Sequence, residues 1–203
     1  MADYVAIVRG VLPNARPWST GRFITSGQSP SALLTTWQNA WTTAWNLAVT
    51  GMAIQYDAAT TITQFEIGTL NATLRKVAKT TATVALVGAD AGQPLGATDT
   101  IVVEWTSAVT QPYGRGFNRM PPPTENFAND GVISATGGAN MKAAFTSIRA
   151  AIIADGSTFF VAPRFATESG QPAYAKTVLT GFRVRQQLGT ERVREEKVPK
   201  TYF

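Results

Sequence analysis

Hydrophobic and polar positions alternate along this chain with two distinct rhythms, and the switches between them mark the elements. "YVAIVRGVL" (Tyr4 to Leu12) is short, apolar and β-branched, and "GRFITSG" (Gly21 to Gly27) follows the turn signal "PNARPW", so the two predict strands joined by a loop. At Ser29 the period lengthens. In "SPSALLTTWQNAWTTAWNLAV", residues Leu33, Leu34, Trp37, Trp41, Trp45 and Ala48 recur every three to four positions, with Ser29 placed to cap and Pro30 at the first helical position. This predicts an amphipathic helix that ends near Gly51.

From Met52 to Val87 the pattern returns to period two or to short apolar runs, "MAIQYD", "TITQFEIGTL", "ATLRKVA" and "ATVALVG", which predict a series of antiparallel strands. "ADAGQPLGATD" (Ala89 to Asp99) reads as a loop, and "TIVVEWTSAV" (Thr100 to Val109) as a strand. A second helix is predicted from about Gly138 to Ala154, where Met141, Ala144, Phe145, Ile148, Ile152 and Ile153 share a stripe that "DGS" stops. "TFFVAPRFA" (Thr158 to Ala166) and "AKTVLTGFRVRQQ" (Ala175 to Gln187) close the chain as strands around the turn "TESGQP". Two helices among eight or more strands are too few for a parallel doubly wound sheet. The expected fold is therefore mainly β, an antiparallel sandwich or barrel, in one domain over residues 1–203, with no sequence self-similarity to support a duplicated half.

Composition narrows the chemistry. The 203 residues include no cysteine and no histidine, which removes disulfides, thiolate nucleophiles, imidazole bases and the zinc sites and triads built on them. Hydrophobic residues make up 44%, enough for a core, and charged residues only 15%, so the surface is neutral and rich in small residues, as suits a protein covered by neighbours. The net charge of +5 is modest and no dense basic run occurs, so a nucleic-acid partner is not forced. "MADYVAIVRG" carries Asp3 early and lacks a long apolar stretch, and no apolar run approaches the roughly 18 residues of a membrane span, so neither signal peptide nor membrane association is expected.

Individual motifs were weighed against plainer readings. The Trp37, Trp41, Trp45 stripe has the spacing of a base- or sugar-stacking ladder, but Leu33, Leu34 and Ala48 continue the same face, which favours core packing. "GRG" at Gly114 to Gly116 lacks the lysine and serine or threonine of a phosphate loop, and "DAGQPLGATD" lacks the alternating acids of a calcium loop. No cofactor or metal site is expected. The segment 110–126, "TQPYGRGFNRMPPPTEN", is a stiff arm whose prolines hold it near polyproline II, and Arg115, Phe117 and Arg119 suit contact with a neighbouring chain or a polyanion. A basic tail (183–203) carries Arg183, Arg185, Arg192, Arg194, Lys197 and Lys200 interleaved with Glu191, Glu195 and Glu196, which favours bridging to other subunits over phosphate binding. An acid and base pair for glycoside hydrolysis would have to come from Glu104 with Glu66 or Asp57, and nothing in the spacing selects it.

The early Trp-rich helix, the stretch from "LVGADAGQPLGATD" through the arm to "GSTFFV", and the closing "FRVRQQLGTERVRE" together resemble a group of small bacteriophage virion proteins. That group runs from an apolar strand into a Gly/Arg-rich turn, an apolar residue and proline, and then a helix. This chain has "GRGFNRMPPP" where the group carries a denser Gly/Arg run, and "GTERVRE" where it carries glutamine and consecutive arginines. The resemblance implies a non-enzymatic, self-assembling capsid (coat) subunit located in the virion, with a β-sandwich of the jelly-roll kind. Its partners would be copies of itself and other virion proteins, with packaged nucleic acid as a non-specific contact. The alternative is a carbohydrate- or receptor-binding module of a virion that presents Trp18, Trp105, Tyr113 or Phe117 as a sugar platform.

Overall fold

The computed structural model describes residues 1–11, 15, 17–51, 61–88, 99–107, 124–131, 135–161 and 177–187. Strand β1 (Ala2–Val11) buries Tyr4, Ala6 and Val8 on one face, and β2 (Pro17–Ser26) pairs with it antiparallel, from Ala2 opposite Ser26 to Val11 opposite Pro17. Helix α1 (Pro30–Gly51) starts where the sequence places it. Ser29 Oγ accepts from the backbone N–H of Ala32 at 3.3 Å, Ser29 O accepts from Leu33 at 2.9 Å, and Pro30 occupies the first turn, where it forfeits no hydrogen bond.

Strands β3 (Thr61–Leu70) and β4 (Lys76–Val87) form a hairpin. The expected pair of strands "ATLRKVA" and "ATVALVG" is one twelve-residue strand preceded by a turn. Asn71 makes the difference: its Oδ1 accepts from Thr73 N–H, Thr73 Oγ1 and Arg75 N–H at 2.8–3.0 Å, and Leu74 takes the left-handed conformation at φ 57. Strand β5 (Asp99–Ser107) and β6 (Thr124–Gly131) pair antiparallel, and α2 (Ala135–Ala154) ends where Gly156 N–H donates to Ile153 O at 2.9 Å. The short β7 (Thr158–Val161) and β8 (Thr177–Gln187) complete the described elements.

The protein is mainly β with two helices, and every described strand pairing is antiparallel. The strands lie in one open sheet in the order β4-β3-β1-β2-β7-β8-β5-β6, in which the six from β4 to β8 run on through β5 to β6. Chain order therefore visits an inner hairpin (β1–β2), a helix, an outer hairpin (β3–β4), then the other outer hairpin (β5–β6), a helix and the other inner hairpin (β7–β8).

Both helices pack on the same face of the sheet and against each other. Tyr4, Ala6, Val8, Ile24, Phe65, Ile67 and Phe159 meet the α1 stripe Leu33, Trp37, Trp41, Trp45 and Ala48, and α2 adds Met141, Ala144, Phe145, Ile148 and Ile152. The tryptophan stripe is core. Trp37 and Trp41 meet edge to face at 5.8 Å, Trp41 and Phe145 at 5.9 Å, and burying each such ring contributes upward of roughly 2 kcal/mol.

Candidate functional site

The residues singled out from sequence fall into two groups. Tyr113, Arg115, Phe117, Arg119, Arg192 and Arg194 lie outside the described residues, as does most of the 110–126 arm, of which only Thr124 to Asn126 are described, at the start of β6. Arg183 and Arg185 lie in β8 beside β5, in register with Glu104 and Val102 respectively, so the alternating "FRVRQQ" segment is an interior strand of the sheet and not the edge its pattern suggests. Trp105 sits in β5 in register with Phe182.

The two other functional constellations considered from sequence do not assemble. Glu66 is in β3 and Glu104 in β5, with β1, β2, β7 and β8 between them. At about 4.8 Å per strand that is roughly 24 Å along the sheet, against the 5–10 Å that paired glycosidase carboxyls require. Trp18 does not stand out as a sugar platform either. It packs against the core and stacks on Trp45 with ring centroids 6.1 Å apart and planes within 8° of parallel, joining the inner hairpin to α1.

What the structure does build is a second face. Strand alternation sends Val5, Ile7 and Arg9 away from the helices, and cross-strand register extends a row over that outer face: Lys79, Gly68, Val5, Phe23, Phe160 and Val178. Phe23 and Phe160 touch with ring centroids 5.5 Å apart, and Phe160 is only 2% exposed although it lies outside the core beneath the helices.

Beside this row sits Glu66, 2% exposed, gripped from both sides. Lys76 Nζ donates to Oε1 at 2.6 Å and Arg9 Nη2 to Oε2 at 3.3 Å. Gly68 makes the first contact feasible, because a Cβ there would lie 2.5 Å from Lys76 Cδ and 2.8 Å from Val5 Cγ1. Burial alone would raise the Glu66 pKa, but the hydrogen bonds from Lys76 and Arg9, with their charges, outweigh it and hold the carboxyl below its usual range. A carboxylate so held is a poor general base at neutral pH. The triad is a clasp across β1, β3 and β4, and with Lys79 it leaves this end of the outer face positively charged.

A second polar cluster ties the two helix-bearing halves. Ser157 Oγ donates to Ser26 Oγ at 2.7 Å, which also accepts Gln28 N–H at 3.0 Å, while Thr36 Oγ1 lies 3.2 Å from Gln28 Oε1 and 3.1 Å from Asp155 Oδ2. Tyr4 Oη donates to Gln28 O at 2.9 Å. Both serines are buried, and each hydroxyl is spent on the other or on backbone, so the cluster joins the β2–α1 turn to the α2–β7 turn. Among the described residues no acidic cluster is able to hold a metal ion, and no helix is long and apolar enough to cross a membrane.

The remaining feature is the edge. β4 ends the sheet, and the two most exposed large apolar side chains after Met1, Val77 at 62% and Val87 at 64%, are both on it. Neither these valines nor the Arg9–Glu66–Lys76 clasp was picked out from sequence. The signal was present in the alternation of "YVAIVRGVL", which puts Arg9 on the outward face, and in the placement of Glu66 between Phe65 and Ile67 on a strand.

Fold and surfaces together define an antiparallel, mainly β protein whose distinctive features are an open sheet edge and a partly apolar, positively flanked outer face. No protein-family model, no curated protein and no solved structure matches the chain.

Proposed function

We propose that this chain is a self-assembling structural subunit, of the coat type found in bacteriophage particles, and that its work is done at interfaces between copies. The observation that carries the reading is the long, free edge of β4, which among the described residues has no strand beside it and keeps charge only at its first positions. Proteins that function as monomers blunt such edges with charge, proline, bulges or short strands, since unpaired N–H and C=O groups recruit other chains. An edge left open along twelve residues favours a chain that meets its neighbours there.

The finer architecture belongs to the same proposal. A sandwich of the jelly-roll kind needs a layer over the outer face of the sheet, and the near-complete burial of Phe160 on that face supports one. The arm residues Arg115, Phe117 and Arg119 and the tail residues Arg192 and Arg194 are assigned to subunit or polyanion contacts, with Arg183 and Arg185 holding the tail's first strand in the sheet. Location in the virion and packaged nucleic acid as a non-specific partner follow from the same reading. The sugar-platform alternative is weakened by the stacking of Trp18 on Trp45.

The test is the size of the purified full chain, by light scattering after size exclusion and by electron microscopy, with and without nucleic acid across salt concentrations. Symmetric particles or discrete oligomers are expected. Retention of nucleic acid that falls steeply with salt would identify phosphate contacts. A monomer at every concentration overturns the proposal.

A further inference from the structure

The β4 edge is specific enough to name what covers it. Its exposure alternates without a break from Thr80 to Val87: Thr80, Ala82, Val84 and Leu86 are half-buried toward the helices, while Thr81, Thr83, Ala85 and Val87 are exposed on the outer face. The pairing irregularity opposite Gln64 does not interrupt this alternation. Lys76 and Lys79 are the strand's only charges, and it has no proline. Val77 and Val87 lie on the outer face at equal distances from Ala82, one toward each end.

Antiparallel partners that sit directly opposite project to the same face, so a strand pairing with its own copy must match even positions with even and odd with odd. With the two-fold axis at Ala82, Ala82 faces itself, Thr81 faces Thr83 of the second copy, Lys79 faces Ala85, and Val77 faces Val87. The two isolated apolar side chains then cover each other at both ends of the junction, and no lysine meets a lysine. Parallel pairing in register would stack each lysine on its equivalent. The antiparallel contact is isologous and therefore closes on itself.

We infer that β4 pairs antiparallel with β4 of a second copy of this chain about an axis at Ala82, which fuses the two sheets into one continuous sheet. The inference rests on the reading that copies self-associate, and it adds the surface, the register and the symmetry of one contact.

The chain has no cysteine, so introduced thiols report this register directly. Directly opposed Cα atoms in an antiparallel pair stand about 4.5–5.5 Å apart, inside the range of roughly 4.4–6.8 Å that a disulfide spans. Under mild oxidation Ala82→Cys is expected to give a disulfide-linked dimer on a non-reducing gel, Thr81→Cys alone to give none, and Thr81→Cys combined with Thr83→Cys to restore it. Val77→Lys with Val87→Lys places like charges opposite each other at both ends and is expected to weaken association at least tenfold by sedimentation, while Val77→Glu with Val87→Lys recovers it. Circular dichroism and thermal melting of each variant show whether the fold is kept. Association without an Ala82→Cys cross-link overturns the edge pairing but leaves self-association standing. Equal cross-linking by Ala82→Cys and Thr81→Cys, or unchanged association of the double lysine variant, overturns the register. A wild-type monomer at every concentration overturns both this inference and the reading beneath it.

Discussion

Glu66→Gln is the perturbation that tests the outer-face clasp most directly, because it keeps the side chain's shape and removes only the charge. Two charge-assisted hydrogen bonds, from Lys76 at 2.6 Å and Arg9 at 3.3 Å, become neutral-acceptor bonds at best, and the amide brings N–H donors toward groups that are themselves donors. A hydrogen bond to a charged group is worth about 1.5–3 kcal/mol. The two cations remain 43% and 41% exposed, so water screens them and rehydrates them when the carboxylate is lost. Relieving the cost of burying the charge offsets a further part, which leaves an expected loss of about 1–2 kcal/mol at pH 7. Because the folded pKa of Glu66 lies below its unfolded value, the clasp's contribution is fully present above the ordinary carboxylate range and disappears as pH falls through the folded value. Urea unfolding followed by tryptophan fluorescence should therefore show wild type more stable than Glu66→Gln by a constant amount above about pH 5, with the gap closing toward pH 3. A gap that stays unchanged down to pH 3, or the absence of any gap at pH 7, refutes the reasoning.

Three further substitutions probe the positions that set the core and the first helix. Trp37 Nε1 donates to Ile7 O at 3.3 Å, whereas among the described residues Trp41 Nε1 is buried with no partner, so Trp37→Phe should cost about 1 kcal/mol more than Trp41→Phe in equilibrium unfolding; equal costs would show that the Trp37 bond contributes nothing. At Gly10 an added Cβ would lie 2.5 Å from Thr61 O and 2.7 Å from Trp18 Cε2, and the carbonyl cannot retreat without disturbing the β1–β3 pairing, so Gly10→Ala should destabilise by about 2–3 kcal/mol, with a change under 0.5 kcal/mol counting against it. Ser29→Ala removes the α1 cap and should cost about 1 kcal/mol, which Ser29→Asp should largely restore. Arg115→Ala with Arg119→Ala should impair assembly, read by electron microscopy, without changing the melting temperature; normal particles would reduce the arm to a plain loop.

The elements that were legible in sequence are those whose pattern is self-contained. The α1 stripe, its Ser29 cap and its end at Gly51 need only the period of one helix, and the alternation of β1 needs only one strand. β6 escaped because "TENFANDG" has neither apolar alternation nor β-branched weight, and it is a strand by virtue of pairing with β5. The Asn71 turn escaped because "NATLR" carries no glycine or proline, and the turn is made by one side-chain oxygen accepting three bonds. "FRVRQQ" misled for a related reason: alternation of apolar and basic residues reports a strand with two unlike faces, but not whether a neighbour lies on each side, and β5 lies beside it. The clasp was half visible, since strand carboxylates were read as either solvated or salt-bridged, but the choice of Arg9 and Lys76 as partners depends on β1 and β4 flanking β3, which is a matter of long-range register.

That register also explains why the sheet's middle is tied and its ends are not. The two inner hairpins meet through only three residue pairs, Phe23 to Thr25 against Thr158 to Phe160, too few to hold two four-stranded halves together by backbone bonds alone. The coupling comes instead from the faces. On one side Trp41 meets Phe145 across the helices and the Thr36–Asp155 and Ser26–Ser157 contacts join the turns, and on the other Phe23 meets Phe160. All of these act near the β2–β7 seam, whereas the outer edge of β4 has no described element beside it. Stiffness at the seam fixes the direction in which that edge points, so pairing there would transmit a defined angle from one copy to the next, the geometric requirement for an assembly that closes.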